Sequence, residues 1–257
     1  MKKLNKLLIP LIILAVATLP SCNDSPDSSN NTPKAAIIDQ LYLLEPNQEF
    51  IDEVKGELED YGFEVDVHQG DEVTVELYRN LPSYGYKLIV FRAHAGLMRK
   101  EGSSITPEIT FLFTGEKSSK LKYPVEQLIE RIVPANMTAD YPPVFAVNSE
   151  FVTKSMNGEF DHTVIIMTGC TCLKYSDLAD GFVEKGASAY IGFDASVLLD
   201  YSDESSAYLL QQLCSGNVTI KEAVDRTMAD KGRDPQWGAE LRYWPAETAN
   251  ETLRTLI

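Results

Sequence analysis

TVIIMTGCTCLKYSDLADGFVEKGASAYIGFD, residues 163 to 194, decides the fold. Thr163 to Thr168 is an apolar run without alternation, the pattern of a strand buried on both faces. The spacing predicts a helix from Ser176 to Lys185, stopped by Gly186. Ser188 to Phe193 is a second apolar strand, and it ends in Asp194. Strand, helix and strand in that order make a parallel pair with a crossover. The first strand ends in Gly169, Cys170, Thr171 and Cys172. Two of the four cysteines therefore stand at one strand tip.

The same alternation extends outward on both sides. Lys34 to Asp39 and Phe63 to His68 read as strands. Asn47 caps a helix from Gln48 to Tyr61 that Gly62 ends. Tyr86 to Ala93, YKLIVFRA, is an apolar strand carrying one arginine. Residues 71 to 80 read equally as helix or extended connector. Glu108 to Thr114 predicts a hairpin strand, and Val144 to Val147 a short one. Pro124 opens a helix with Val125, Leu128, Ile129 and Ile132 as its apolar face. Asp203 to Cys214 is a helix, and Thr219-x-x-Glu222 is a capping box opening another to Lys231. Glu240 to Trp244 is a last strand. Strands alternating with helices predict an α/β fold, a mostly parallel sheet with helices on both faces.

The N-terminus belongs to a different category. Lys2, Lys3 and Lys6 precede the apolar run Leu7 to Leu19, and Leu19-Pro20-Ser21-Cys22 follows. Residues 1–21 read as a signal peptide. The ending resembles a lipobox, which implies a lipid on Cys22. Residues 22–33 read as a flexible tether and 34–257 as the folded domain. The expected place is outside the cytoplasm, anchored to the cell membrane as a lipoprotein. Removing three lysines leaves 20 basic against 38 acidic residues, a formal charge of −18. That balance excludes nucleic acid as a partner.

Chemistry collects at the carboxyl ends of parallel strands. Those ends are Asp39, His68, His94, Cys170 and Asp194. His162 lies at the other end of its strand, away from Cys170. A thiol nucleophile needs an acid/base and backbone donors for an oxyanion. Neighbouring strands are about 4.8 Å apart, so His94 and Cys170 can meet at adjacent tips. Gly96 and Gly169 let backbone approach a substrate.

LIVFRAHAG (88–96) and the 163–193 stretch together resemble the caspase-like cysteine peptidases, most nearly the CHAT and gingipain-type domains. The resemblance implies a three-layer αβα sandwich and a Cys/His peptidase without cofactor or metal. It implies Cys170 as nucleophile, His94 as acid/base, and oxyanion donors near Gly96 and Gly169. It implies a peptide or protein substrate. An acid in the specificity pocket, with Asp194 as candidate, would favour cutting after a basic residue. Asp39 is a candidate to orient His94. Ala95 departs from the family's His-Gly, which demands a bulge or a displaced donor.

Alternatives stand beside these roles. Cys172 is the other candidate nucleophile, and otherwise a packed thiol. Asp39 and Asp194 read equally as turn residues. Cys214 reads as packing. Asp200, Asp203 and Glu204 read as a solvated acidic loop. At the level of the whole chain, the alternatives are a silent caspase-like scaffold and a solute-binding lipoprotein.

Overall fold

Residues 32–97 and 109–257 are described by the structure, a computed structural model. The expected leader, Cys22, the tether as far as residue 31 and Glu108 lie outside the described residues. In chain order the elements are β1 (Lys34–Asp39), α1 (Gln48–Tyr61), β2 (Glu64–Gln69), α2 (Val75–Asn80), β3 (Tyr86–Arg92), β4 (Ala95–Leu97) and β5 (Thr110–Lys117). Next come α3 (Pro124–Leu128), β6 (Ile132–Ala135), β7 (Val144–Val147), α4 (Ser149–Ser155), β8 (Thr163–Thr168) and α5 (Asp177–Glu184). β9 (Ala187–Phe193), α6 (Leu199–Cys214), α7 (Ile220–Lys231), β10 (Leu241–Trp244) and α8 (Leu253–Leu256) complete the order.

The large sheet runs β10-β9-β8-β3-β1-β2, and only β10 is antiparallel. Successive residues of a strand point to opposite faces. Accordingly Ala36, Ile38, Ile89, Phe91, Ile165 and Met167 enter one core with Tyr78, Phe151 and Phe182 of the helices. Ala35, Ile37, Leu88, Val90, Val164 and Ile166 enter the other with Leu58, Leu210 and Val224. Burial on both faces explains the unbroken apolar runs. The result is the expected α/β arrangement of helix, mostly parallel sheet and helix. Thr32–Ile257 form one unit rather than two lobes.

Local signals set many boundaries. Asn47 accepts a hydrogen bond from Phe50 N–H at the start of α1, and Gly62 ends it in a left-handed conformation. The capping box of α7 is present. The undecided stretch 71–80 resolves into a 3-10 turn and α2.

The region between β3 and β8 holds more than a hairpin. It folds as a second, antiparallel sheet in the order β4-β5-β7-β6, followed by α4, which the sequence reading missed. The expected apolar face of α3 needs correction. Val125, Leu128 and Ile129 are exposed, and Ile132 begins β6. α3 closes after five residues because Ile129 leaves helical geometry. Among the described residues no helix is long and apolar enough to cross a membrane.

Candidate active site

β3 and β8 are parallel neighbours in register, with Arg92 opposite Thr168. Ala93 N–H continues the ladder to the Thr168 carbonyl at 3.2 Å. His94 and Cys170 each stand two residues beyond that Arg92–Thr168 pair. They leave the sheet side by side, and both line one cavity of about 300 Å3.

Gly169 fixes how close the two tips come. A Cβ there would lie 2.2 Å from the Ala93 carbonyl oxygen and 3.4 Å from Cys172 Sγ. Only glycine lets the backbone of one tip rest on the other. Gly169 also lines the cavity. The next turn is strained: Thr171, a β-branched residue, has φ of +53°. Such a conformation costs about 1–3 kcal/mol and persists only where surrounding structure enforces it. Here Thr171 N–H donates to the Ala195 carbonyl and Leu173 N–H to that of Phe193, pinning the turn to the end of β9.

His94 is held on both sides of its backbone. Its N–H donates to Gln40 Oε1 at 2.9 Å, and its carbonyl accepts from Phe113 N–H at 3.0 Å. Its ring packs on Phe113 with centroids 5.8 Å apart. Gln40 is buried, and its amide rests on Met137 Sδ. Burial pulls the His94 imidazole below its ordinary value, and the positive Arg92 adds to that. Burial pushes the Cys170 thiol up, a hydrogen bond from Val197 pulls it back, and Asp234 pushes it up again. Val197 N–H lies 3.4 Å from Cys170 Sγ, and the thiol donates to the Val197 carbonyl at 3.5 Å. Both shifts favour an uncharged thiol beside an uncharged imidazole. Among the described residues no hydrogen bond joins the two side chains.

Beneath the rim lies a charged cluster that sequence reasoning missed. Arg92, 1% exposed, donates from Nε to Asp203 Oδ1 and from Nη1 to Asp39 Oδ1, each at 2.9 Å. Its Nη2 donates to Asp203 Oδ2, which also accepts from Asn47 Nδ2. The cluster ties the ends of β1 and β3 to the starts of α1 and α6. An arginine inside an apolar strand was the available signal, because a buried guanidinium requires buried carboxylates. Asp203 is therefore not part of a solvated loop; only its neighbours Asp200 and Glu204 are exposed.

Several expected site residues sit elsewhere. Asp39 makes no hydrogen bond to the His94 ring: its Oδ1 takes Arg92 and Tyr42 N–H, and among the described residues its Oδ2 is buried without a hydrogen-bond partner. The neighbouring Gln40 reaches the His94 backbone instead. Gly96 lies in β4 opposite Phe111 and lines a separate apolar hollow with Phe113 and Val133. Phe113 N–H bonds the His94 carbonyl, so the ladder's alternation makes Gly96–Phe111 the next hydrogen-bonded pair. That commits the Gly96 N–H to the small sheet. Ala95 is the extra residue that brings this about. Asp194 is not among the described residues lining the cavity. Its carboxylate accepts from Glu240 N–H and Arg242 Nε, tying β9 to β10.

The remaining candidates are accounted for similarly. Cys172 is buried in the core; burial pushes its thiol up, and its carbonyl accepts from the Tyr190 hydroxyl. It serves as packing. Cys214 is half-buried, with its thiol pushed up to about 12 by burial. His68 contacts the Tyr86 hydroxyl away from the cavity, and His162 is exposed before β8. Cys170, Cys172 and Cys214 are free thiols. Among the described residues no group of three or more His, Cys, Asp or Glu is arranged to hold a metal.

No family model matches the chain, and no curated protein matches it. Two solved structures are distantly similar to it. One is the Arg-specific cysteine proteinase gingipain R, at 12% identity and a TM-score of 0.46, covering 88% of this chain. This chain spans 45% of the gingipain R chain. The other is a flavodoxin from Streptococcus pneumonia TIGR4, at 14% identity and a TM-score of 0.31, covering 76% of this chain and 98% of the flavodoxin.

Proposed function

We propose that this chain is a cysteine endopeptidase of caspase-like type, acting through Cys170 and His94 on peptide or protein substrates. We further propose that it works outside the cytoplasm, tethered through a lipid on Cys22. The observation that carries the peptidase reading is the Arg92–Thr168 register, continued by the Ala93–Thr168 hydrogen bond. It puts a sulfur and an imidazole on adjacent strand tips, facing one cavity.

The uncharged resting pair sets the order of events. Cys170 Sγ attacks the substrate carbonyl carbon as its proton passes to His94. The tetrahedral oxyanion is met by backbone N–H groups at the Gly169–Cys170 tip. The carbon–nitrogen bond then breaks, and His94 returns the proton to the departing amine. Water attacks the thioester, giving up a proton to His94. Collapse releases the carboxylic acid and restores the thiol. No cofactor enters this scheme. Gln40 and Phe113 hold the His94 backbone while its ring exchanges the proton.

A specific observation favours a second reading, a caspase-like binding module without catalysis. The thiol is bonded to Val197, and no hydrogen bond joins it to His94. Apo sites are often loose in this way and tighten with substrate. A pooled set of fluorogenic peptides separates the two readings. The peptidase reading expects cleavage that Cys170→Ala abolishes and His94→Ala reduces by at least about 100-fold. Absence of cleavage by the folded protein favours the binding module. Incorporation of labelled fatty acid into the full chain, lost in Cys22→Ala, tests the tether.

A further inference from the structure

We infer that the cavity beside Cys170 and His94 selects an apolar side chain on the residue whose carbonyl is attacked, and rejects both basic and acidic ones. This rests on the peptidase reading and concerns what that site accepts. Among the described residues the cavity's apolar lining comes from Leu41 and Leu44 after β1, Ala93 after β3, Val197 before α6 and Leu199 at the start of α6; the hydroxyl residues Thr138 and Ser202 also line it. At about 300 Å3 it stands at the small end of ligand pockets, suited to one side chain.

Among the described residues the buried carboxylates near the cavity are held by partners of their own. Asp203 follows the lining residue Ser202, but its carboxylate holds Arg92 and Asn47. Asp39 holds the same arginine. Asp234 accepts from the N–H groups of Leu198, Gln236 and Trp237, fixing the loop that carries Val197 and leads into α6 at Leu199. Asp194 is spent on Arg242 and Glu240 N–H. Glu45 is the one carboxylate among the described lining residues, and it is exposed, where water screens it. A guanidinium or ammonium entering the cavity would lose water without gaining a buried counter-ion, which is costly. An acidic side chain fares no better, because Arg92 is already paired with two carboxylates, Asp39 and Asp203. Leucine, methionine or phenylalanine loses no hydrogen bond on entry and gains burial.

The test uses the full chain and peptidyl aminocoumarin amides that differ only at the residue before the scissile bond: Leu, Met, Phe, Arg, Lys, Asp or Asn. The inference expects at least one of Leu, Met and Phe to exceed Arg and Asp by about tenfold or more in kcat/KM. It also expects Leu44→Asp to raise the Arg-to-Leu ratio by about tenfold; Leu199→Asp serves if the first variant does not fold. Cleavage that needs Cys170 but prefers Arg, Lys, Asp or Asn overturns the apolar selection and leaves the peptidase standing. If the folded protein cleaves nothing, the peptidase reading fails. Binding of fluorescent N-acyl peptides ending in Leu or Arg then decides the cavity separately. Tighter binding of Leu supports apolar selection, while equal binding or tighter Arg overturns it.

Discussion

Asp203→Ala is predicted to be among the most damaging single changes outside the cavity. The carboxylate accepts from Arg92 Nε and Nη2 and from Asn47 Nδ2, at 2.9 Å in each case. Removing it leaves Arg92 fully buried with Asp39 as its remaining carboxylate. Breaking a buried pair in this way costs about 3–5 kcal/mol, most of it from the stranded charge. Taking about 4 kcal/mol and a urea dependence of about 3 kcal/mol per molar, the unfolding midpoint falls by about 1.3 M. Equilibrium urea unfolding followed by circular dichroism reads that shift. Glu184→Ala is the control. It breaks the exposed Lys154–Glu184 pair, worth under about 1 kcal/mol. Asp203→Asn keeps the shape and one acceptor, and should fall between. If Asp203→Ala moved the midpoint no further than Glu184→Ala, the reasoning about the cluster would be wrong.

Other consequences are equally direct. Gly169→Ala places a Cβ 2.2 Å from the Ala93 carbonyl, so the strand tips must separate; peptidase activity should fall at least about tenfold as alignment is lost. Gly56→Ala, inside α1 with nothing within 4 Å, should instead stabilise by about 0.5–1 kcal/mol in the same urea assay. Because His94 is held below its ordinary value, it stays a neutral base as pH falls through about 6.5. The acid limb of kcat/KM should therefore lie below that pH, and a midpoint above it would contradict the assignment. Cys172 is buried and should resist iodoacetamide until the protein unfolds, whereas half-buried Cys170 should react in the folded state and faster at alkaline pH. Peptide mapping of the labelled chain distinguishes them.

Much of the fold was legible because its cause is local. Val164 to Met167 show no alternation since both faces of β8 are covered, and Asn47, Gly62 and Thr219 mark helix ends through their own backbone geometry. The parallel order then followed, and with it the placing of His94 and Cys170 at one rim. What escaped the sequence depends on contacts far along the chain. Asp203 sits between exposed acids, so nothing nearby announces that Arg92, 111 positions earlier, turns it inward. Gly96 looked free to meet a substrate until β4 paired with β5. Asp194 looked like a pocket acid until Arg242 arrived from β10. The Thr171 strain was invisible because its φ is set by the ends of β9, not by the Cys-Thr-Cys sequence. α4 is short, and its buried Phe151 and Val152 span too little to show a helical period.

The most direct test of the central claim is to trap the acyl-enzyme. The full chain is mixed with a leucine-ended activated peptide ester, quenched in acid, and digested for mass mapping. The account predicts a thioester on Cys170, formed more slowly in His94→Ala and absent in Cys170→Ala. An adduct on Cys214 instead, or none on Cys170 in folded protein, would contradict it.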